Sequence, residues 1–357
     1  MEMLYKPDLS RIIQRYEAFW SGDVADRPPM RVRFVADSMN DDAWSEAVKT
    51  KEGHFAYWEN YAQMRADLYD DEVPCAVLDM GPAFMGGVLG SPLTFSGGAS
   101  WAQHIFHDYS QIPEFEAITF DENNFWVKEL LERNAYFKEK AAGKFGVAIA
   151  MLTGAGDIFG AIHGITECYT DLYEEPEGFA RMVNLCADAW MAVQKIQFDN
   201  VPDVCGGYVD NYGIWTPGRS SYFADDLSTC VSGEMYDEVL APIDGRISQF
   251  LERPWMHTHS AQIRLIPHFL KLPNLRGLQI VNDAPAGPDF KEILPYAKMV
   301  QESGKCLLLR KFTIEELEPW LHELSPKGLL IDTHCTSLSD AKTIIADFSA
   351  EKFMKFH

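Results

Sequence analysis

Basic charge is scarce in this chain of 357 residues: 31 lysines and arginines stand against 53 aspartates and glutamates, a net charge of −22. That balance excludes nucleic acid as a partner, because its phosphates need a basic face, and it excludes a polybasic membrane patch. No apolar run reaches the ~18–20 residues of a membrane span. Met1 to Arg11 contain no apolar signal core, so no export signal is read. The cysteines at 75, 168, 186, 205, 230, 306 and 335 form no CxxC pair. An odd number without framework spacing predicts reduced thiols and a cytoplasmic protein. Low-complexity stretches and solenoid repeats are absent as well. A Gly-rich phosphate loop is missing after the first strand, where Ala36-Asp37-Ser38-Met39-Asn40 stands, which argues against a doubly wound nucleotide-binding sheet.

What is present is an alternation of short β-branched or apolar segments with segments of helical period. Eight strands are predicted: Met30–Ala36, Pro74–Asp79, Phe145–Met151, Gly206–Asp210, Trp255–His259, Gly277–Val281, Cys306–Arg310 and Gly328–Asp332. Helical periodicity marks Ile12–Trp20, Phe55–Leu68, Glu122–Ala142, Glu177–Phe198 and Gly233–Glu252, and then Ile263–Leu270, Asp289–Ser303, Thr313–Leu324 and Ser339–Ala350. Asp289, Thr313 and Ser339 are capping residues. Repeated βα units imply a parallel sheet covered by helices. The expected fold is therefore α/β, a (β/α)8 TIM barrel with an N-terminal helical extension, forming one domain over 1–357. The long irregular region from Gly81 to Ile118 is expected to lie over the C-terminal mouth.

In such a barrel, catalytic groups sit at the C-terminal strand ends. Those ends carry Asp79, Thr153 and Asp157, Asp210-Asn211-Tyr212, His257-Thr258-His259, Asn282-Asp283, Arg310-Lys311 and Asp332-Thr333-His334-Cys335. Strand ends are polar simply because they meet solvent, but two histidines on one strand end ask for more. His257 and His259 alternate, so both imidazoles face the same way and can share a metal ion. Cys335 could supply a thiolate as third ligand, and His334 or Asp283 could stand in for it. Two nitrogens and a sulfur suit zinc with a fourth position open.

With these residues the chain resembles the uroporphyrinogen decarboxylase superfamily, which includes the zinc-dependent corrinoid and coenzyme M methyltransferases. The likeness rests on Arg27-Pro28-Pro29 before the first strand, Leu78-Asp79-Met80-Gly81-Pro82 with Gly90, and Gly164-Ile165-Thr166-Glu167 through Asp171 to Glu177. The methyltransferase branch carries His-x-Cys at strand five and a distant Cys at the last strand. Here the match reads His257-x-His259 and Cys335. The decarboxylase branch fits less well, since no arginine cluster follows Arg31 and Arg33, although Asp79 matches its catalytic aspartate.

The resemblance implies a zinc-dependent methyltransferase that moves a methyl group between a methoxylated compound or thiol and a corrinoid protein. The cobalamin would be carried by that separate partner, because this chain lacks the Asp-x-His-x-x-Gly segment of a corrinoid module. Relatives often dimerise, so a homodimer is possible. Asp210, Tyr212, Asp225, Asp226 and Asp283 would line the pocket, and an acid among them could protonate a leaving oxygen. Trp215, Tyr222 and Phe223 either stack on a ring or pack under a loop. The rival readings are a carboxy-lyase working through Asp79 without metal, and a non-catalytic binding protein.

Overall fold

The computed structural model describes residues 3–34 and 40–348. The expected end of the first strand, the loop Ala36–Asn40 apart from Asn40, and the last two residues of the helix expected over Ser339–Ala350 lie outside the described residues. The strands are β1 (Met30–Arg33), β2 (Cys75–Val77), β3 (Leu93–Ser96), β4 (Ala99–Ala102), β5 (Gly146–Ala148), β6 (Gly207–Val209), β7 (Trp215–Pro217), β8 (Tyr222–Ala224), β9 (Trp255–His259), β10 (Gly277–Val281), β11 (Cys306–Phe312) and β12 (Leu329–His334). Six of them form one parallel sheet in the order β1-β12-β11-β10-β9-β8. β2 and β5 form a separate parallel pair.

Side-chain alternation divides the interior into two cores. Trp255, Leu330, Leu308, Tyr222 and Val77 belong to an inner cluster with the helix Leu9–Trp20 beneath it. Met256, Leu329, Leu307, Phe223 and Ala76 belong to a larger outer cluster that packs against the helices. Each fully buried aromatic or aliphatic side chain contributes roughly 1.5–3 kcal/mol of transfer free energy. The first helix seals the base of the inner core, where Trp20 donates from Nε1 to the Trp215 carbonyl at 2.8 Å.

All eight expected strand positions are extended; the fourth, whose Val209 carbonyl accepts the Ile149 N–H at 2.9 Å just past the third, makes in addition a pairing that a simple βα order does not contain. Gly207–Val209 pairs antiparallel with Trp215–Pro217, and the parallel neighbour of β9 is Tyr222–Ala224. The cause is turn chemistry: Asp210 Oδ1 accepts the N–H groups of Tyr212 (2.8 Å) and Ile214 (3.2 Å), and Gly213 takes a φ of +71°. An aspartate bonding its own downstream backbone turns the chain back instead of feeding a helix. The ladders are not continuous from β1 to β2 or from β5 to β8, so the sheets do not close among the described residues. What is present is a mixed α/β architecture built on a six-stranded parallel sheet.

The region after Gly81 is ordered as a short helix, Phe84–Val88, and the hairpin β3–β4. Gly81 sits at φ +84°, and a β-carbon there would meet Ser100 Oγ at 2.5 Å. Ser100 Oγ also accepts the N–H of Ala83 at 2.9 Å. These contacts bind the hairpin against the chain just beyond Asp79. Asp289 and Thr313 cap their helices as expected, while Ser337 rather than Ser339 caps the last one.

Candidate metal centre

Parity on β9 places Trp255, His257 and His259 on the inner face. Asp226 follows β8 directly, and its backbone is held from below by Asp157, whose carboxylate accepts the N–H groups of Asp226 (3.1 Å) and Leu227 (2.7 Å). Gln262 joins the two strand ends. Its Oε1 accepts the His259 N–H at 2.9 Å, and its Nε2 donates to the Asp225 carbonyl at 2.7 Å. As a result one ligand atom each from Asp226, His257 and His259 lies within 4.8 Å of the others.

Both imidazoles are oriented through Nδ1. His257 Nδ1 lies 2.6 Å from Gln279 Oε1, and His259 Nδ1 lies 2.6 Å from Asp283 Oδ1. An amide oxygen and a carboxylate only accept, so each Nδ1 carries the proton and each Nε2 is left free of these bonds. His259 Nε2 is 3.7 Å from Asp226 Oδ2, and the buried Asp226 Oδ1 has no hydrogen-bond partner. Burial, despite Asp226, holds His257 down to about 4, with Arg310 adding to the effect. A neutral imidazole with a free Nε2 is the form that binds metal. The carboxylates of Asp226 and Asp283, outweighing burial, push His259 up to about 10 when only protons compete for it. Two imidazole nitrogens and a carboxylate oxygen are a common catalytic zinc donor set, so these residues fit the ion.

Cys335 is not brought into this group. Inner-facing residues on β12 are Leu330, Asp332 and His334; Cys335 has the opposite parity and packs against the outer core. Its Sγ donates to the Ser337 carbonyl at 3.3 Å, and burial raises its pKa. Among the described residues, Asp226 rather than Cys335 groups with the two histidines.

The other expected site residues separate into two groups. Asp283 and His259 line a cavity of about 960 Å³ together with Arg33, Asn282, Lys311 and His334. Asp79 and Tyr212 line a smaller compartment of about 270 Å³, which also reaches Arg33 and Arg310. Burial, against the Gly81 N–H that Asp79 accepts at 2.8 Å, raises the Asp79 carboxyl to about 6. Tyr212 stacks on His257 with ring centroids 5.4 Å apart, and the Arg310 guanidinium lies 3.8 Å from its ring centre. Asp210 is a turn residue, buried and pushed to about 7 by desolvation, and it lines neither space. Trp215, Tyr222 and Phe223 are buried packing residues. Sequence reasoning missed Gln262 and Gln279. Only their place on or beside inner-facing strand positions could have flagged them.

No family profile matches the sequence, and no curated protein does. Among solved structures, a methyltransferase from Methanosarcina mazei is similar in fold, with a TM-score of 0.68 over 99% of this chain and 100% of that one, at 12% sequence identity. No helix among the described residues is long and apolar enough to cross a membrane.

Proposed function

We propose that this chain is a zinc-dependent methyltransferase of the uroporphyrinogen decarboxylase-like barrel type, acting with a corrinoid protein and a small methyl donor or acceptor. The observation that carries the reading is the paired orientation of His257 and His259 through Gln279 and Asp283, with His259 Nε2 3.7 Å from Asp226 Oδ2 and one ligand atom of each of the three residues within 4.8 Å of the others. Support for the chemistry comes from the shared fold with a protein named as a methyltransferase. The six parallel strands and the β2–β5 pair are together enough for an eight-stranded barrel whose C-terminal ends carry these groups.

Asp226, His257 and His259 would hold the ion and leave a position toward the large cavity. Zinc, when bound, acts as a Lewis acid that acidifies a thiol or polarises a methoxy oxygen. Asp283 fixes the ring of His259, and Tyr212 backs the ring of His257. The wide cavity admits the small substrate from the side on which a corrinoid partner would dock.

Elemental analysis of the purified chain tests the centre. About one zinc per chain is expected, lost in Asp226→Ala and His257→Ala and retained in Cys335→Ala. Retention in Asp226→Ala with loss in Cys335→Ala would overturn the ligand set. Methyl transfer between methylcobalamin and a thiol, followed by the cobalamin spectrum, tests the reaction. A second reading is favoured by one observation: Asp79, raised to about 6, lines the smaller compartment with Arg33 and Arg310 and could act as an acid in a carboxy-lyase. That reading requires metal-free protein to decarboxylate a porphyrinogen and Asp79→Asn to abolish it.

A further inference from the structure

The far wall of the large cavity, formed by the ends of β11, β12 and β1, has the opposite electrostatic character from the histidine wall. Arg31, Arg33 and Arg310 all approach one buried carboxylate, Asp332, at 3.2, 3.9 and 3.4 Å. Arg31 has a second partner in Glu72 at 2.7 Å, which Arg65 shares at 3.2 Å. Lys311 has no ion-pair partner among the described residues. Three arginines on one aspartate, with an unpaired lysine beside them, leave a local excess of positive charge in a chain whose net charge is −22.

The backbone is bent to create this arrangement. Register between β11 and β12 shifts between Arg310 and Phe312, and Lys311 adopts a φ of +61°. Strict alternation would point Arg310 inward and Lys311 toward the helices. The bulge lets Arg310 and Lys311 both serve the inner side, with Lys311 lining the large cavity. A lysine in the left-handed region is strained, and such strain concentrates where function requires a particular side-chain direction. The carboxylates in the same lining are otherwise engaged: Asp283 pairs with His259, and Glu316 accepts the Thr313 N–H at 2.7 Å. Burial and the neighbouring charges of Arg310 and Arg33 hold the Lys311 pKa down, as expected where cations crowd without a counterion.

We propose that Arg33 and Lys311, with Arg310 behind them, form an anion subsite that receives a carboxylate or phosphate group of the substrate. His334, beside Arg33 in the β1–β12 register, lines the same wall. One continuous register row runs from His259 through Val281 and Arg310 to Asp332. His259 and Arg310 are two strands apart, ~10 Å at the usual interstrand spacing. The substrate is thus a small molecule with its reacting group at the histidine end and its anionic group several bonds away. This identification of the substrate class rests on reading the histidine wall as the reacting end.

Isothermal titration of metal-free protein with inorganic phosphate, and separately with propionate, tests the subsite without involving the ion. Saturable binding of at least one probe is expected, weakened fivefold or more in Lys311→Gln and in Arg33→Gln and unchanged in Lys298→Gln, where the lysine pairs with Glu323. Tighter binding of propionate assigns the group as a carboxylate, and tighter binding of phosphate assigns it as a phosphate. Lys311 is exposed at a bulge, so its variant keeps the test open should Arg33→Gln fold poorly. Wild-type protein that binds neither probe, or equal binding in wild type and Lys311→Gln, overturns the proposal. Zinc content measured on the protein as purified, before the metal is stripped for titration, keeps the two readings apart: anion binding by protein that purifies without zinc removes the metal centre alone, and zinc in the purified protein without anion binding removes the subsite alone.

Discussion

At the base of the inner core every oxygen of Asp70 and Asp71 is engaged, whereas at the mouth several buried polar atoms have no partner. Asp70 is held by Lys6, Arg65 and the Val32 N–H, and Asp71 by Arg15, Arg27 and the Met30 N–H. At the mouth, Asp226 Oδ1, Gln279 Nε2, Arg310 Nε and both oxygens of Asp225 lack hydrogen bonds. Buried polar groups are ordinarily satisfied, and exceptions call for a ligand or a function. The contrast is one of carboxylates: Asp70 and Asp71 are fully paired, whereas Asp225 and Asp226 keep oxygens without partners, and neutral groups such as Tyr16 Oη and Trp255 Nε1 lack partners in the inner core as well.

Three experiments break or sharpen that contrast. The largest effect is expected at the base. Asp71→Ala leaves Arg27 buried without its carboxylate and Arg15 with Asp26 alone, and should cost about 3–5 kcal/mol in urea unfolding. A loss within 1 kcal/mol would show that the base is no more committed than the mouth. Next is acid. Burial pushes the Asp70 carboxyl up, but Arg65, Lys6 and the Val32 N–H outweigh it and hold the group down at about 2. A depressed acid stabilises the fold above its unfolded pKa near 4, and that contribution disappears as pH falls from about 4 to about 2. The expected loss is roughly 2 kcal/mol across that window, smaller in Lys6→Met. The smallest effect is at the mouth. Gln279→Leu removes the acceptor that orients His257, and it removes an unpartnered donor as well. Stability should fall by about 1 kcal/mol, since the buried His257 N–H loses its acceptor, while zinc affinity falls about tenfold in a competition titration, ~1.4 kcal/mol. Equal zinc affinity in the variant would show that the ring is oriented by Tyr212 and packing alone.

Much of this was legible in the chain. Alternation of the β9 residues put His257 and His259 on one face, and the βα rhythm after Trp255 located the C-terminal strands. The errors share a physical origin. The apolar pattern marks Gly206–Asp210 as a strand; the Asx turn at Asp210 and Gly213 that brings the following strand back antiparallel beside it depends on side-chain bonds invisible to periodicity. Chemistry recommends Cys335 as a ligand, whereas parity along β12 from Asp332 and His334 turns it to the outer side. Asp226 reads from the sequence only as a lining acid, because the strand that precedes it, Tyr222–Ala224, is three residues long and offers almost no period. The pairing of Gln279 with His257 depends on the register between β9 and β10, which no local pattern specifies.

The anchoring of Asp226 through its own main chain has an evolutionary consequence. Asp157 grips the N–H groups at 226 and 227, so the Cα at 226 is set independently of the side chain it bears. A single codon change there could present a sulfur or an imidazole to the same point without rebuilding the scaffold. If the group holds an ion, its softness, and with it the ion preferred, would drift among descendants of this protein while the two histidines stay where they are.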